Sequence, residues 1–297
     1  TDYLNEDYKN LSIPKLVFNN LGELMYMSRS AIPGNKKNRL IRAWKQVCIY
    51  SYPREILLKF SKTNNKSSLI PTLFLHGFSG TSNSWKEIIS KLDYHCIAPD
   101  IIGHGKSNFN DIDRDYDIDD WCNDLLQILD SLNINTLNIC GYSMGGRLAI
   151  AFASKYPDKI QRLILESTSL GIKDNNVKKE RYQEDLKLSE LIEGDFSAFI
   201  HKWESNPLFL KQKKRNKEGF LTQREDRISH DLIQLSKSLK VFSQGNMKSY
   251  EKEFSKFKFP ISIINGSEDL KYTMIGKRMT EINKQTTQHI INNTNHN

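Results

Sequence analysis

The chain has 297 residues, 38% hydrophobic and 26% charged, which suits one large α/β domain with an insertion and excludes a disordered polymer. No apolar run approaches bilayer length and the N-terminus carries no signal-peptide pattern, so neither a membrane span nor a secretory leader is expected. The net charge of +8 would admit nucleic acid, a membrane surface or a small anion. The lysines, however, are scattered beside asparagines ("GNKKNRL", "NNVKKER", "KQKKRNKEG") with no stacking-aromatic motif, which points away from nucleic acid.

In chain order, residues 1–44 are polar and without clear period, and are expected to be a linker or the edge of another domain. Residues 45–62 read as two strands around a turn. "LIPTLFLHGFSG" (69–80) is a buried strand entering a glycine loop, "SWKEIISKL" (84–92) a helix, and "YHCIAPDIIGHGKSN" (94–108) a second strand and glycine loop. "IDDWCNDLLQILDSL" (118–132) is an amphipathic helix, "TLNIC" (136–140) a strand, "MGGRLAIAFASKY" (144–156) a helix, and "QRLILEST" (161–168) a strand. From about 172 to 252 the pattern is helical and charged. Strands return at "FPISIINGSED" (259–269) and "TQHIINN" (287–293). Alternating strands and helices imply a parallel sheet, here interrupted by a helical cap. The expected division is therefore 1–44 extension, 45–171 and 253–297 core, and 172–252 cap.

Cys48, Cys96, Cys122 and Cys140 are scattered, with no C-x-x-C and no zinc-like spacing. They are read as reduced thiols of a soluble intracellular protein. No metal and no organic cofactor is expected, since no G-x-G-x-x-G follows a strand.

The chemistry centres on "GYSMGG". Gly141, Ser143 and Gly145 form G-x-S-x-G on a sharp strand-to-helix turn, which exposes the serine hydroxyl above the sheet. The backbone N–H of Met144 then lies at a helix N-terminus, where it can donate to an oxyanion. The loop "HGFSG" offers a second such N–H, from Phe78. In a parallel sheet, ligands sit beyond the carboxyl ends of strands. His76, Ser143, the acidic pair Glu268–Asp269 and His296 each follow a strand. The order Ser, acid, His is that of an α/β-hydrolase. On position alone either Glu268 or Asp269 could orient the histidine. His296, past the last strand, suits the base. His76 and His104 suit backbone support, His95 and His289 a structural place in strands, and His201 and His230 the cap.

Over most of residues 69–297 the chain resembles the α/β-hydrolase superfamily, and within it the 2-succinyl-6-hydroxy-2,4-cyclohexadiene-1-carboxylate synthases of menaquinone and phylloquinone synthesis. The resemblance is carried by "LFLHGFSGTSNSW", "DIIGHGKS" and "GYSMGGRLAIAFASKYPDKIQRLILES", and more specifically by Arg147 after "GYSMGG". "KKERYQED" with Arg181, "FIHKWESNPLF" with Trp203, and "REDRISHDLIQLSKSL" with Arg227 match the family's cap. "NGSEDLKY" selects Asp269, and "IINNTNHN" selects His296. The resemblance implies a cofactor-free lyase that eliminates pyruvate from a polycarboxylate substrate. Ser143, Asp269 and His296 would be catalytic, Phe78 and Met144 oxyanion donors, and Arg147, Arg181 and Arg227 the carboxylate clamps. Tyr142 and Trp203 would line the pocket. The runners-up are a serine esterase or carbon–carbon bond hydrolase on the same triad, and a non-catalytic ligand receptor on the same fold.

The chain departs from the family pattern in two places. Asn295 precedes the histidine where the family has glycine, and is expected to take up the left-handed turn. The family also continues into a closing helix, and the chain lacks an initiator Met, so a piece of a fused, multi-enzyme protein is expected. The partner is then a small polycarboxylate, with neither nucleic acid nor membrane, and the location is cytoplasmic in a bacterium or plastidial in an alga or plant.

Overall fold

In the computed structural model, residues 70–109, 115–206, 208 and 216–296 are described in full, together with the backbone of three strands nearer the N-terminus. The chain divides into two compact units, Thr1–Ser67 and Ser68–Asn297. In the first, β1 (Lys15–Phe18) pairs antiparallel with β2 (Leu24–Ser28) and with β3 (Trp44–Lys45), giving the order β2-β1-β3. The segment expected as a linker or domain edge thus contains strands of its own. Apolar "LVF" and "LMYM" are its only signals, and each is too short to stand out against polar flanks. The expected core boundary at residue 45 moves to Ser67/Ser68. The strands expected over 46–62 lie outside the described residues.

The second unit is built on six parallel strands, β4 (Thr72–Leu75), β5 (Cys96–Ile97), β6 (Leu137–Tyr142), β7 (Ile160–Glu166), β8 (Ile261–Gly266) and β9 (Thr286–Ile291). Their order is β5-β4-β6-β7-β8-β9, so the chain starts near one edge, crosses to it, and then runs stepwise to the other. The central strands read as apolar runs because both faces are covered. Leu73, Leu75, Ile139, Leu163, Leu165 and Ile263 are all at most 1% exposed.

The connections are helical: α1 (Lys86–Ser90), α2 (Ile118–Ser131) and α3 (Met144–Lys155). Asp117 starts α2 through a reciprocal capping box with Asp120. In helix α3, Leu148, Ala149, Ile150, Ala151, Phe152 and Ala153 are all buried, as befits a helix packed on the centre of the sheet.

Between β7 and β8 lies the cap: α4 (Asn175–Gly194), α5 (Phe196–Glu204), α6 (Lys217–Ile228) and α7 (Leu232–Val241). Its own small core joins Ile192, Phe199, Ile200, Leu235 and Leu239. The short α8 (Glu251–Phe254) leads back to the sheet, and α9 (Leu270–Ile282) connects β8 to β9. No described helix is long and apolar enough to cross a membrane. Two histidines differ from expectation: His95 lies just before β5, and His289 on edge strand β9 is exposed.

Helix α3 approaches the end of β4 closely because Gly145 has no side chain. A Cβ there would stand 2.3 Å from the Leu75 carbonyl oxygen and 2.5 Å from that of His76. Both are backbone atoms at the end of β4 and cannot swing away as a side chain would. Gly145→Ala is therefore expected to lower the denaturant midpoint, at a cost of about 1–3 kcal/mol. An unchanged midpoint in urea unfolding would mean that strand and helix can part freely.

Candidate active site

Ser143 sits between β6 and α3 with φ 50° and ψ −107°, a conformation that side chains rarely adopt. It is held there from both sides. Its N–H donates to the Glu166 carbonyl (2.9 Å), and its own carbonyl accepts from the Thr168 hydroxyl (2.7 Å). Three other described serine and asparagine residues near the strand ends also have positive φ: Ser79, Ser167 and Asn293. The left-handed residue before the final histidine is thus Asn293, not Asn295 as expected. What lets the chain pass at Asn295 is Gly266, where a Cβ would lie 2.1 Å from the Asn295 carbonyl oxygen.

That passage delivers His296 to Ser143. The imidazole Nε2 is 3.2 Å from Ser143 Oγ, and Nδ1 is 2.7 Å from Asp269 Oδ2. His296 and Asp269 are each 2% exposed. Asp269 also caps α9, accepting from the Tyr272 N–H. Of the acidic pair left open by position, Asp269 is the one that meets the histidine. Such a row can withdraw a proton from the serine hydroxyl while the carboxylate steadies the imidazolium.

Met144 opens α3, so its N–H belongs to the first-turn donors that have no acceptor within the helix. Phe78, Tyr142, Met144 and Trp203 line the same cavity as Ser143 and His296. The Phe78 and Trp203 rings meet edge to face at 5.3 Å, and Tyr142 lies 5.5 Å from the His296 ring.

The three arginines separate. Arg147 and Arg181 line the Ser143 cavity. Arg227 lines a neighbouring one, beyond the Phe78, Tyr142 and Trp203 that border both. Arg181 makes a two-pronged pair with Asp185 (3.0 and 2.9 Å), and Ser243 donates to the same carboxylate (2.7 Å). Arg227 pairs with Glu204 (3.0 Å) and donates to Ser79 Oγ (3.2 Å).

Arg147 differs. One prong donates to the Phe242 carbonyl (2.9 Å), its Nε is buried without a partner, and it pairs with no described carboxylate. Burial lowers its pKa to about 10, with Arg181 adding repulsion. A half-buried arginine with an unpartnered Nε and no paired carboxylate is a ready seat for an anion. Among the described residues, no group of three His, Cys, Asp or Glu side chains is placed to hold a metal ion.

Three histidines support the loop after β4. His76 accepts from the Ile101 N–H (2.9 Å) and contacts the Gly77 carbonyl, while His104 accepts from the Ser79 N–H (3.1 Å). His230 bridges from the cap, accepting from the Gly105 N–H and contacting the Ser79 carbonyl, each at 3.1 Å. The rings meet edge to face, His104 lying 5.0 Å from His76 and 5.3 Å from His230. The roles expected for His76 and His104 agree with these bonds. His230's does not follow from sequence, because its partners lie over a hundred residues away.

Cys96, Cys122 and Cys140 are free, and burial pushes the Cys122 thiol up to about 12. Cys48 lies outside the described residues.

The comparisons with known proteins agree with this geometry. Residues 71–297 match the family model described as the alpha/beta hydrolase fold. A Bacillus subtilis (strain 168) protein, provisionally named 2-succinyl-6-hydroxy-2,4-cyclohexadiene-1-carboxylate synthase, is 33% identical over 69% of this chain and 76% of its own length. The chloroplastic protein PHYLLO of Arabidopsis thaliana is 30% identical over 70% of this chain, which corresponds to only 12% of that much longer protein. The solved structure of MenH from S. aureus superposes with a TM-score of 0.73 at 31% identity, covering 76% of this chain and 86% of that one. The chain belongs to the α/β-hydrolase family, in its group of 2-succinyl-6-hydroxy-2,4-cyclohexadiene-1-carboxylate synthases.

The histidine cluster gives a test of the site's foundation. Burial lowers His76 to about 4 and holds His104 and His230 below their ordinary value. The unfolded chain takes up these protons near pH 6.5, the folded one only at lower pH. Stability is therefore present above pH 6.5 and lost as pH falls toward 4, at up to about 1.4 kcal/mol per pH unit for each histidine. Burial raises the Glu166 carboxyl to about 7, which acts in the opposite direction over part of this window. Urea midpoints measured from pH 7.5 to 4.5 should fall, and fall more steeply in Glu166→Gln. A flat profile in both would contradict the buried neutral cluster.

Proposed function

We propose that the chain is a lyase of menaquinone or phylloquinone synthesis. It would eliminate pyruvate from 2-succinyl-5-enolpyruvyl-6-hydroxy-3-cyclohexene-1-carboxylate to give 2-succinyl-6-hydroxy-2,4-cyclohexadiene-1-carboxylate. The names of its relatives support the reaction. The observation that carries the reading in this chain's own residues is Arg147: a half-buried arginine with an unpartnered Nε and no paired carboxylate, one helical turn after Ser143, in the same cavity. A neutral ester offers it nothing, whereas a carboxylate of the substrate completes it.

In this reading His296 draws the Ser143 proton, with Asp269 holding the ring, and Ser143 Oγ removes a proton from the substrate ring. The electron pair of the C2–H bond forms the C2–C3 double bond, and the C3–C4 π pair shifts to C4–C5. The bond from C5 to the enolpyruvyl oxygen breaks with its electron pair leaving on oxygen, and pyruvate departs after proton return to its enolate carbon. The N–H groups of Phe78 and Met144 stabilise the negative charge that develops meanwhile. Arg147 seats one substrate carboxylate. Arg181 and Arg227, each already paired with an acid, add field and shape around the others. Tyr142 and Trp203 flank the ring.

Ser143→Ala should lower pyruvate release by on the order of 10²–10⁴ while substrate still binds. Turnover near the parent's rate would refute the assignment. Among the arginines, Arg147→Ala should lose the most affinity, about ten- to a hundredfold, with Lys restoring only part. Arg181→Ala and Arg227→Ala should lose less, because their charges are already largely neutralised by Asp185 and Glu204. Hydrolysis of a neutral p-nitrophenyl ester, where present, should be insensitive to Arg147→Ala. Steady-state kinetics on both substrates distinguishes the cases, and equal losses on the two would reduce Arg147 to a structural role.

A further inference from the structure

The Ser143 cavity holds a hydroxyl that the scheme above does not use. Tyr272 lies in the first turn of α9, and its N–H bonds to Asp269, the carboxylate that also holds His296. Its ring packs against the His296 imidazole, centroids 4.5 Å apart at 50°. The residue is only 7% exposed and lines the cavity together with Ser143, Arg147 and Arg181. Yet among the described residues its hydroxyl has no hydrogen-bond partner. The hydroxyl is not among the fully buried unpartnered atoms, so it stays accessible from the cavity it lines, free to bond a group that enters there.

The surroundings specify what that is. Arg147 and Arg181 both act on the phenol electrostatically, and it in turn acts on Arg147. Burial outweighs the two cations and keeps the phenol above its ordinary pKa, so at neutral pH it is a donor and not a counter-ion. A neutral donor beside an uncompensated guanidinium complements an acceptor that carries negative charge.

We propose that Tyr272 is a substrate-positioning and specificity residue, whose hydroxyl donates to the same carboxylate that Arg147 binds. The pair then reads one carboxylate with a charged fork and a neutral donor. The ring contact with His296 couples that seat to the serine row. The inference rests on the lyase reading for its substrate, but it makes a claim about carboxylate binding that can be tested apart from it.

Tyr272→Phe removes the hydroxyl and keeps the ring. For pyruvate release, KM should rise about tenfold with kcat within about twofold of the parent, as for a lost hydrogen bond to a charged group. Tyr272→Leu, which also removes the ring from His296, should lower kcat as well. A Phe variant with parental KM, or one whose kcat falls while KM holds, would overturn the proposal.

Calorimetric titration with succinate separates this from failure of the lyase reading. Tyr272→Phe should bind succinate about tenfold more weakly than the parent, even in a protein that releases no pyruvate. Equal affinity, or no binding to the parent, would overturn the carboxylate seat. Thermal melting of each variant identifies one that has simply lost its fold, and for such a Leu variant the Phe comparison alone decides.

Discussion

The site depends on one backbone constraint, the turn at Ser143. Its φ of 50° and ψ of −107° cost on the order of 1–3 kcal/mol, and nothing in a serine favours them. They persist because the sheet and the helix fix both sides. The residue's N–H and carbonyl are taken by Glu166 and Thr168, and α3 is drawn against β4 at Gly145. The same turn projects the hydroxyl toward His296, starts α3 at Met144, and places Arg147 one turn further on. Relaxing it would disperse the serine hydroxyl, the Met144 donor and the Arg147 cation together.

Charge balance then sorts the cavity's cations. A buried charge without a partner is costly, and a protein usually supplies the partner itself. This chain does so for Arg181 with Asp185 and for Arg227 with Glu204. Arg147 is left with a carbonyl and an open Nε. The imbalance sits beside the serine and beside the unused Tyr272 hydroxyl. Binding of a carboxylate would therefore relieve an electrostatic cost built into the fold, which is the physical basis of preference for an anionic substrate.

Much of this was legible in the sequence. Buried parallel strands appear as uninterrupted apolar runs, so five of the six strands in the main sheet could be placed within a few residues. The sixth, β5, is the least regular, reduced to Cys96–Ile97 at an edge where pairing is one-sided. G-x-S-x-G announced the turn because only small residues fit there. The order of Ser, acid and His announced the row, although choosing Asp269 over Glu268 required the family resemblance. Partnerships across long separations were not legible. Arg181 and Asp185 are four apart on one helix and could have been paired by spacing alone. Glu204 with Arg227, and His230 with the loop at Ser79, are joined only by the cap's folding. Tyr272 carried a faint signal, three residues after a candidate acid at a helix start. The strands of the first unit were missed because "LVF" and "LMYM" are too brief to establish a period.

The central claim is that this hydrolase-like site performs an elimination. Pyruvate alone does not decide it, since hydrolysis of the enolpyruvyl ether would release pyruvate too. The mass of the ring product from the parent enzyme does. Elimination gives the cyclohexadiene, lighter by one water than the ring alcohol that hydrolysis would leave. The account predicts the diene as the initial product in equal amount to pyruvate; the ring alcohol, or no ring product at all, would contradict it.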